Sequence, residues 1–302
     1  MIERRYRSLS QKSLSGKECI LLARSISPSL GNKERRVTSF ISNNYQELAK
    51  STISEVAVHL NVSEATITKV CKKLKCKGFY ELKKAIELYV NGQKEEDQND
   101  LDSEFTRKDS NKVILEKVML NAILAIQDTL DIVDYVAFDK AAEILRNKSE
   151  EKKIFLVGNG GSAILCEDFQ HKLLKIGIFA HVYKDTHMQF MFTSLVNKGD
   201  IVLGISHTGA TKNIVQILKL AQLKEAHTIS LTNYMNSPIT EVSDVSLVST
   251  AKNHPITGEN ASARIVQLSI LDALYTSLAL KDSGGSNKNL LLTSDAVKQY
   301  RQ

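Results

Sequence analysis

Two glycine-containing turns stand out in the 302-residue chain: "GNGGSA" at 158–163 and "SHTGAT" at 206–211. Each follows a short β-branched run and precedes a stretch with helical periodicity. A strand that ends in such a turn and feeds a helix presents backbone N–H groups and the positive end of a helix dipole, which together attract an anion. In the second turn Ser206, Thr208 and Thr211 add three hydroxyls around Gly209, with His207 among them. Three hydroxyls and several amides match the oxygens of one phosphomonoester, and Ser162 is expected to point across from the first turn. The expected phosphate site is therefore Ser162, Ser206, His207, Thr208, Gly209 and Thr211. Turn and cap duty accounts for any one of these hydroxyls more easily than for the set. A dinucleotide fingerprint also runs through the first turn, as Gly158-x-Gly160-x-x-Ala163 with Asp185 about 20 residues on. It would leave "SHTGAT" without a task.

Polar residues that should reach the C-terminal ends of the strands, where open α/β sheets bind ligands, are Asp168, His171, Asp185, His187, Glu259 and Asn260. Glu167, His171 or Glu259 would supply a general base if the chain were an isomerase. The four cysteines (Cys19, Cys71, Cys76, Cys166) lack CxxC or His-Cys spacing. They read as reduced packing residues, with no metal, disulfide framework or cofactor indicated.

A second chemistry lies upstream. The segment "ISEVAVHLNVSEATITKVCKKL" has helix-turn-helix spacing. Val56 and Leu60 pack the first helix, Ala57 is small where two helices cross, and Asn61 suits a left-handed turn. Ser63 is the expected N-cap of the second helix, whose Ile67, Val70 and Leu74 form a buried stripe. That leaves Ser63, Glu64, Thr66, Thr68, Lys69, Lys72 and Lys73 as the expected DNA-contacting set: short polar groups at the helix start for base edges, lysines farther along for phosphates. "NKERRVTSFISNNYQELAKST" reads as one amphipathic helix, with Val37, Phe40 and Ile41 inward and Arg35 and Arg36 outward. Another helix begins after Gly78.

The elements that position these residues divide the chain in two. Residues 1–94 carry 18 Lys and Arg against 8 Asp and Glu, while the remainder has 22 against 26. A basic module joined to a mildly acidic one suggests that only the first meets a polyanion. The polar run "NGQKEEDQNDLDS" marks a linker. The expected organisation is a helix-turn-helix domain over 1–90, a linker over 91–111 and a ligand domain over 112–302. From Lys153 onward β-branched runs alternate with helical patterns, which implies a parallel sheet covered on both faces in a three-layer α/β fold. The last helical pattern, "ARIVQLSILDALYTSLAL", offers Ile265, Leu268, Leu271, Leu274 and Leu278 to a core or a subunit interface. The N-terminus lacks the apolar core of a signal peptide, and no run approaches the 18 or so apolar residues of a membrane span. A cytoplasmic protein without membrane contact is expected.

Together "VSEATITKVCKKL", "KGFYELK", "GNGGSA", "DFQHKLLKIG", "SHTGAT" and "NASARIVQLSILDALY" resemble the RpiR family of transcriptional regulators, in which a helix-turn-helix precedes a sugar isomerase (SIS) domain. The resemblance covers nearly all of residues 30–280 and is closest to the branch regulating ribose and allose catabolism. It implies a DNA-binding regulator, as repressor, that senses a phosphorylated sugar and works as a homodimer or homotetramer on double-stranded operator DNA. It implies that Ser206 to Thr211 holds the phosphate and that Ser162 is the serine of the first turn. It also favours His187 as a sugar contact and lets Glu259 or Asn260 reach a pocket across a dimer interface. The expected sugar-binding set is Asp168, His171, His187, Glu259 and Asn260. His207 and His171 depart from the commonest pattern of the family. The competing function is a sugar-phosphate isomerase with an appended DNA-binding domain.

Overall fold

A computed structural model of the chain describes residues 14–93, 105–147, 151–252, 261–281 and 285–298. The chain forms two compact units, residues 1–101 and 102–302.

The described residues of the first unit form helices α1 (Gly16–Ile26), α2 (Asn32–Asn43), α3 (Tyr45–Leu48), α4 (Ile53–Leu60), α5 (Glu64–Lys73) and α6 (Phe79–Gln93), with no strand among them. Local chemistry sets the ends of the central pair. Thr52 and Glu55 close a reciprocal capping box at the start of α4, and Asn61 ends the helix in the left-handed region at φ 49°. Ser63 Oγ then accepts from the Thr66 amide to start α5. Ile67, Val70 and Leu74 are buried with Val37, Phe40, Ile41 and Val56 in one core. The upstream helix differs from its sequence pattern: α2 stops at Asn43, Asn44 leaves helical geometry, and α3 follows as a single turn. The apolar period continues across Asn44, but its backbone sits at φ −120°, ψ 32°.

The second unit comprises α7 (Asn111–Ile132), α8 (Tyr135–Arg146), β1 (Ile154–Gly158), α9 (Gly161–Lys175), β2 (Ala180–Val182), α10 (Thr186–Ser194), β3 (Ile201–Ile205), α11 (Lys212–Leu223), β4 (His227–Thr232), β5 (Val245–Val248), α12 (Ala261–Lys281) and α13 (Gly285–Lys298). All five strands are parallel, in the order β2-β1-β3-β4-β5. Alternate strand residues face opposite layers, as a pleated sheet requires. Ile154, Leu156 and Leu203 pack with α8, α9 and α12, whereas Phe155, Val157 and Val202 pack with α10 and α11. The result is a three-layer α/β sandwich with both faces covered. Leu271, Leu274 and Leu278 of α12 are buried in this core, while Ile265 is exposed. That helix is long and apolar enough to cross a membrane by length and composition, yet Leu271, Leu274 and Leu278 pack on the sheet and Ala263 and Val266 pack with Ala125 of α7.

A buried ion pair fixes the start of α7. Lys117 Nζ, on a nearly buried side chain, donates to Asp109 Oδ2 at 2.8 Å, and Thr106 donates to the same carboxylate from its amide and hydroxyl. The Lys117 ammonium, with the Thr106 donors behind it, lowers the Asp109 pKa to about 2. A carboxylate depressed in this way contributes stability that is complete above its unfolded pKa of about 4 and is lost as pH falls towards the folded value. Thermal melts should therefore show Asp109→Asn with a lower Tm than the wild type at pH 7. The gap should close between about pH 4 and pH 2, and a gap unchanged at about pH 2.5 would remove this pair as its source.

Candidate functional site

Between β1 and β3 the chain reverses its direction of travel across the sheet, because β2 lies on one side and β4 and β5 on the other. Open α/β sheets leave a crevice at that point, outside the C-terminal strand ends. Gly158 and Ile205 are paired there in register. The two glycine-containing turns therefore emerge side by side.

The second turn is held in place by its neighbours. Gly209 sits at φ +64°, and a Cβ at this position would overlap Ser237, so the backbone needs glycine on both counts. The Ile239 amide donates to Gly209 O at 2.8 Å and the Asn233 amide to His207 O at 3.0 Å, pinning the turn to the segment after β4. Ser206 Oγ and Thr211 Oγ1 lie 2.8 Å apart, with Ser206 buried and Thr211 half-buried. Thr208 is exposed, and its hydroxyl accepts from the Ala210 amide. His207 is buried, with its ring edge-on to Tyr234 at 5.7 Å.

The starts of the two helices that flank this crevice lack the side-chain caps of three others in the unit. α7, α8 and α10 begin with side-chain caps from Ser110, Asp134 and Asp185. α9, entered through Gly160 at φ +53°, and α11, entered through Thr211, have none. Thr211 directs its hydroxyl to Ser206 instead of to the first-turn amides of its own helix. Two long helices thus present N-terminal N–H groups without side-chain caps on either side of one crevice, the arrangement an anion needs. Ser162, in the first turn of α9, is half-buried at the same edge.

Three amides hold the crevice together, and none was singled out from the sequence. Asn159 Nδ2 donates to Asn213 Oδ1 at 2.8 Å, joining the two turns directly. Fully buried Gln189 donates to Tyr183 O and accepts from Asn213 Nδ2. Asn159 and Asn213 fall inside or beside the motifs, but Gln189 is 24 residues from Asn213 and meets it only through the fold. Arg264, in the first turn of α12, was also missed: a Cβ on Gly161 would lie 3.5 Å from its Cδ and Nη1. It brings a cation to the start of α9.

The expected sugar contacts scatter. Asp168 and His171 lie seven and ten residues into α9 from Gly161, about 10 and 15 Å along a helix that runs away from the crevice. Asp168 pairs with Lys172 at 2.9 Å, and Lys172 also bonds Asp272 of α12. Burial works against the Lys172 charge, but the two carboxylates outweigh it and raise its pKa. His171 is exposed. His187 is exposed in the first turn of α10, after β2 and at the ligand edge, and Asp185 is occupied capping that helix. Glu167 pairs with Lys184 at 2.7 Å. Glu259 and Asn260 lie outside the described residues.

On α5 the expected DNA contacts divide by partner. Ser63 and Thr66 share their hydroxyls at 2.9 Å, and Glu64 accepts from Ser54 of α4. Thr68 is half-buried. Lys69 and Lys73 both pair with Glu34 of α2, at 3.0 and 2.8 Å. Lys72 is exposed and has no ion pair among the described residues.

Residues 21–93 match the helix-turn-helix domain of the rpiR family, and residues 149–277 match the SIS domain. The HTH-type transcriptional regulator RpiR of Escherichia coli K12 is 35% identical over 245 residues, covering 81% of this chain and 80% of that one. The chain belongs to the RpiR family. An uncharacterized HTH-type transcriptional regulator of Haemophilus influenzae is 28% identical to this regulator over 84% of its chain and 87% of the other. Among solved structures, the Vibrio vulnificus NanR protein complexed with ManNAc-6P aligns with a TM-score of 0.58 at 24% identity, over 93% of this chain and 98% of that one. The sugar isomerase domain of an RpiR transcription factor from Sphaerobacter thermophilus aligns at 0.53 and 20% identity, over 61% of this chain and 97% of that one. These likenesses place the regulator's fold with theirs.

Proposed function

We propose that this regulator is a sugar-phosphate-responsive repressor of a carbohydrate catabolism operon, with ribose and allose phosphates as the first effectors to examine. The observation that carries the ligand reading is the pair of helix starts at the β1–β3 crevice that lack side-chain caps, with Ser206, Thr208 and Thr211 between them. In this reading Ser162 and the turn from Ser206 to Thr211 hold the phosphate, the turn's Gly209 and His207 through backbone and packing. Asn159 and Gln189 keep the turns in register, and Arg264 adds positive charge. His187 faces the sugar end. Asp168 and His171, too far along α9 for their own crevice, act on the sugar only if a second subunit brings them to its neighbour's site. A related fold carries a ligand of this class, since the Vibrio vulnificus NanR protein is complexed with ManNAc-6P.

A single helix-turn-helix covers about one half-site, so recognition of a palindromic operator calls for two copies. Exposed Leu115, Met119 and Ile123, spaced four apart along α7, suit packing against a second subunit. In the bacterial cytoplasm that dimer or tetramer would meet its operator through α5, with Lys72 on the backbone and the α5 start at the bases.

A thermal-shift screen of sugar phosphates against the same sugars without phosphate tests the ligand reading. A ligand at a hundredfold excess over Kd adds about 2.7 kcal/mol. The phosphate forms alone should raise the Tm, and equal shifts from both forms would move recognition away from the anion site. Turnover of the same panel at roughly 1 to 1000 per second would favour the isomerase reading instead.

A further inference from the structure

Lys69 and Lys73 are one turn apart on α5, so they share the side of that helix that faces α2. There they meet one carboxylate. Glu34 Oε1 lies 3.0 Å from Lys69 Nζ and Glu34 Oε2 lies 2.8 Å from Lys73 Nζ, with the Glu34 side chain only 14% exposed. Lys73 hydrogen-bonds Oε2, whereas Lys69, its side chain 68% exposed, stands at ion-pair distance from Oε1. Lys72 sits some 60 to 100° around the helix from this pair and projects to solvent.

We propose that Glu34 is a specificity-determining residue, which holds Lys69 and Lys73 away from the DNA backbone and so limits sequence-independent binding. The inference rests on the reading of α5 as the DNA-contacting helix. Its physical basis is counterion release: every lysine that neutralises a phosphate strengthens binding to all sequences alike, without distinguishing bases. A carboxylate paired with two ammonium groups competes with phosphate for both and places a negative charge where phosphate would have to approach. The Lys73 hydrogen bond, opposed by burial and reinforced by Lys69, keeps the Glu34 pKa below its ordinary value, so the clamp is charged at neutral pH.

The experiment measures the full-length chain on a mixed-sequence duplex of about 40 base pairs containing no selected site, across a salt series. Each added phosphate contact steepens the log K against log salt slope by about 0.9. Glu34→Gln should bind this duplex about tenfold tighter at low salt, with a slope steeper by about one to two. Glu34→Asp, which keeps the charge, should stay near wild type. If Glu34 served only to hold α2 against α5, Glu34→Gln would bind more weakly with an unchanged or shallower slope, and the proposal would be overturned. Should Glu34→Gln fail to fold, the double variant Lys69→Ala/Lys73→Ala decides the question: a slope near wild type supports the clamp, and a loss of about two shows that both lysines contact phosphate. Lys72→Ala serves as the reference. If it too leaves the slope unchanged, the assignment of α5 fails along with the proposal; if it lowers the slope while Glu34→Gln does not raise it, only the proposal fails.

Discussion

The triple variant Ser206→Ala/Thr208→Ala/Thr211→Ala should lose at least about a hundredfold in affinity for the effector sugar phosphate while keeping its fold. A hydrogen bond to a charged group contributes roughly 1.5–3 kcal/mol, which corresponds to about tenfold to a hundredfold in Kd for each hydroxyl. The three effects will not add. Ser206 and Thr211 are bonded to each other at 2.8 Å, so removing one already disturbs the other. Thr208 is exposed and, among the described residues, bonded only to the Ala210 amide, so it should behave more independently. Backbone bonds from Asn233 and Ile239 hold the turn independently of these hydroxyls. Melts without ligand should therefore move by only a few degrees. Calorimetric titration of wild type and variant decides: the same Kd in both would place the phosphate elsewhere.

Operator DNA and sugar phosphate should change each other's affinity by one common factor, expected to lie between about 5- and 150-fold for 1–3 kcal/mol of coupling. Reciprocity is a thermodynamic necessity once the two ligands favour different states. α7 gives the ligand end of such a coupling a physical carrier. It runs 22 residues, about 33 Å, from the linker side at Asn111 to Ile132. Near its far end Thr129 Oγ1 donates to Ala125 O at 2.8 Å within the helix and accepts from the Thr250 amide at 3.0 Å, just past the C-terminal end of β5 at the ligand edge. A shift of that edge on binding would reach α7 through the Thr250 amide bond to Thr129, and the start of α7 is tied to the preceding segment by Lys117 and Asp109. Relief of repression is the expected sign. Sugar phosphate titrated with and without saturating operator measures the factor. Equal affinities, with both ligands demonstrably bound, would show that the two units do not communicate.

Much of the architecture was legible because it depends on near neighbours in the chain. Asn61 in its left-handed cap and Ser63 at the start of α5 are decided by φ preferences and by hydrogen bonds to residues three or four positions away. The alternation of strands and helices likewise follows from period and β-branching, and five parallel strands are what it implies. What local patterns cannot carry is the pairing of distant polar groups. The period across Asn44 suggested one helix where the chain makes two. Asp168, His171, Lys69 and Lys73 have the right side chains for ligand or DNA, yet helix direction and packing deliver them to Lys172, solvent and Glu34. Gln189 carries no motif at all and becomes the buried link beneath the crevice. The sequence by itself determined two modules, their secondary structure and the turn that suits a phosphate, since each follows from interactions within a few residues. Only the tertiary structure decided which charges are already neutralised, which helix starts lack side-chain caps, and which amides join the two turns, because those depend on residues brought together from tens of positions apart.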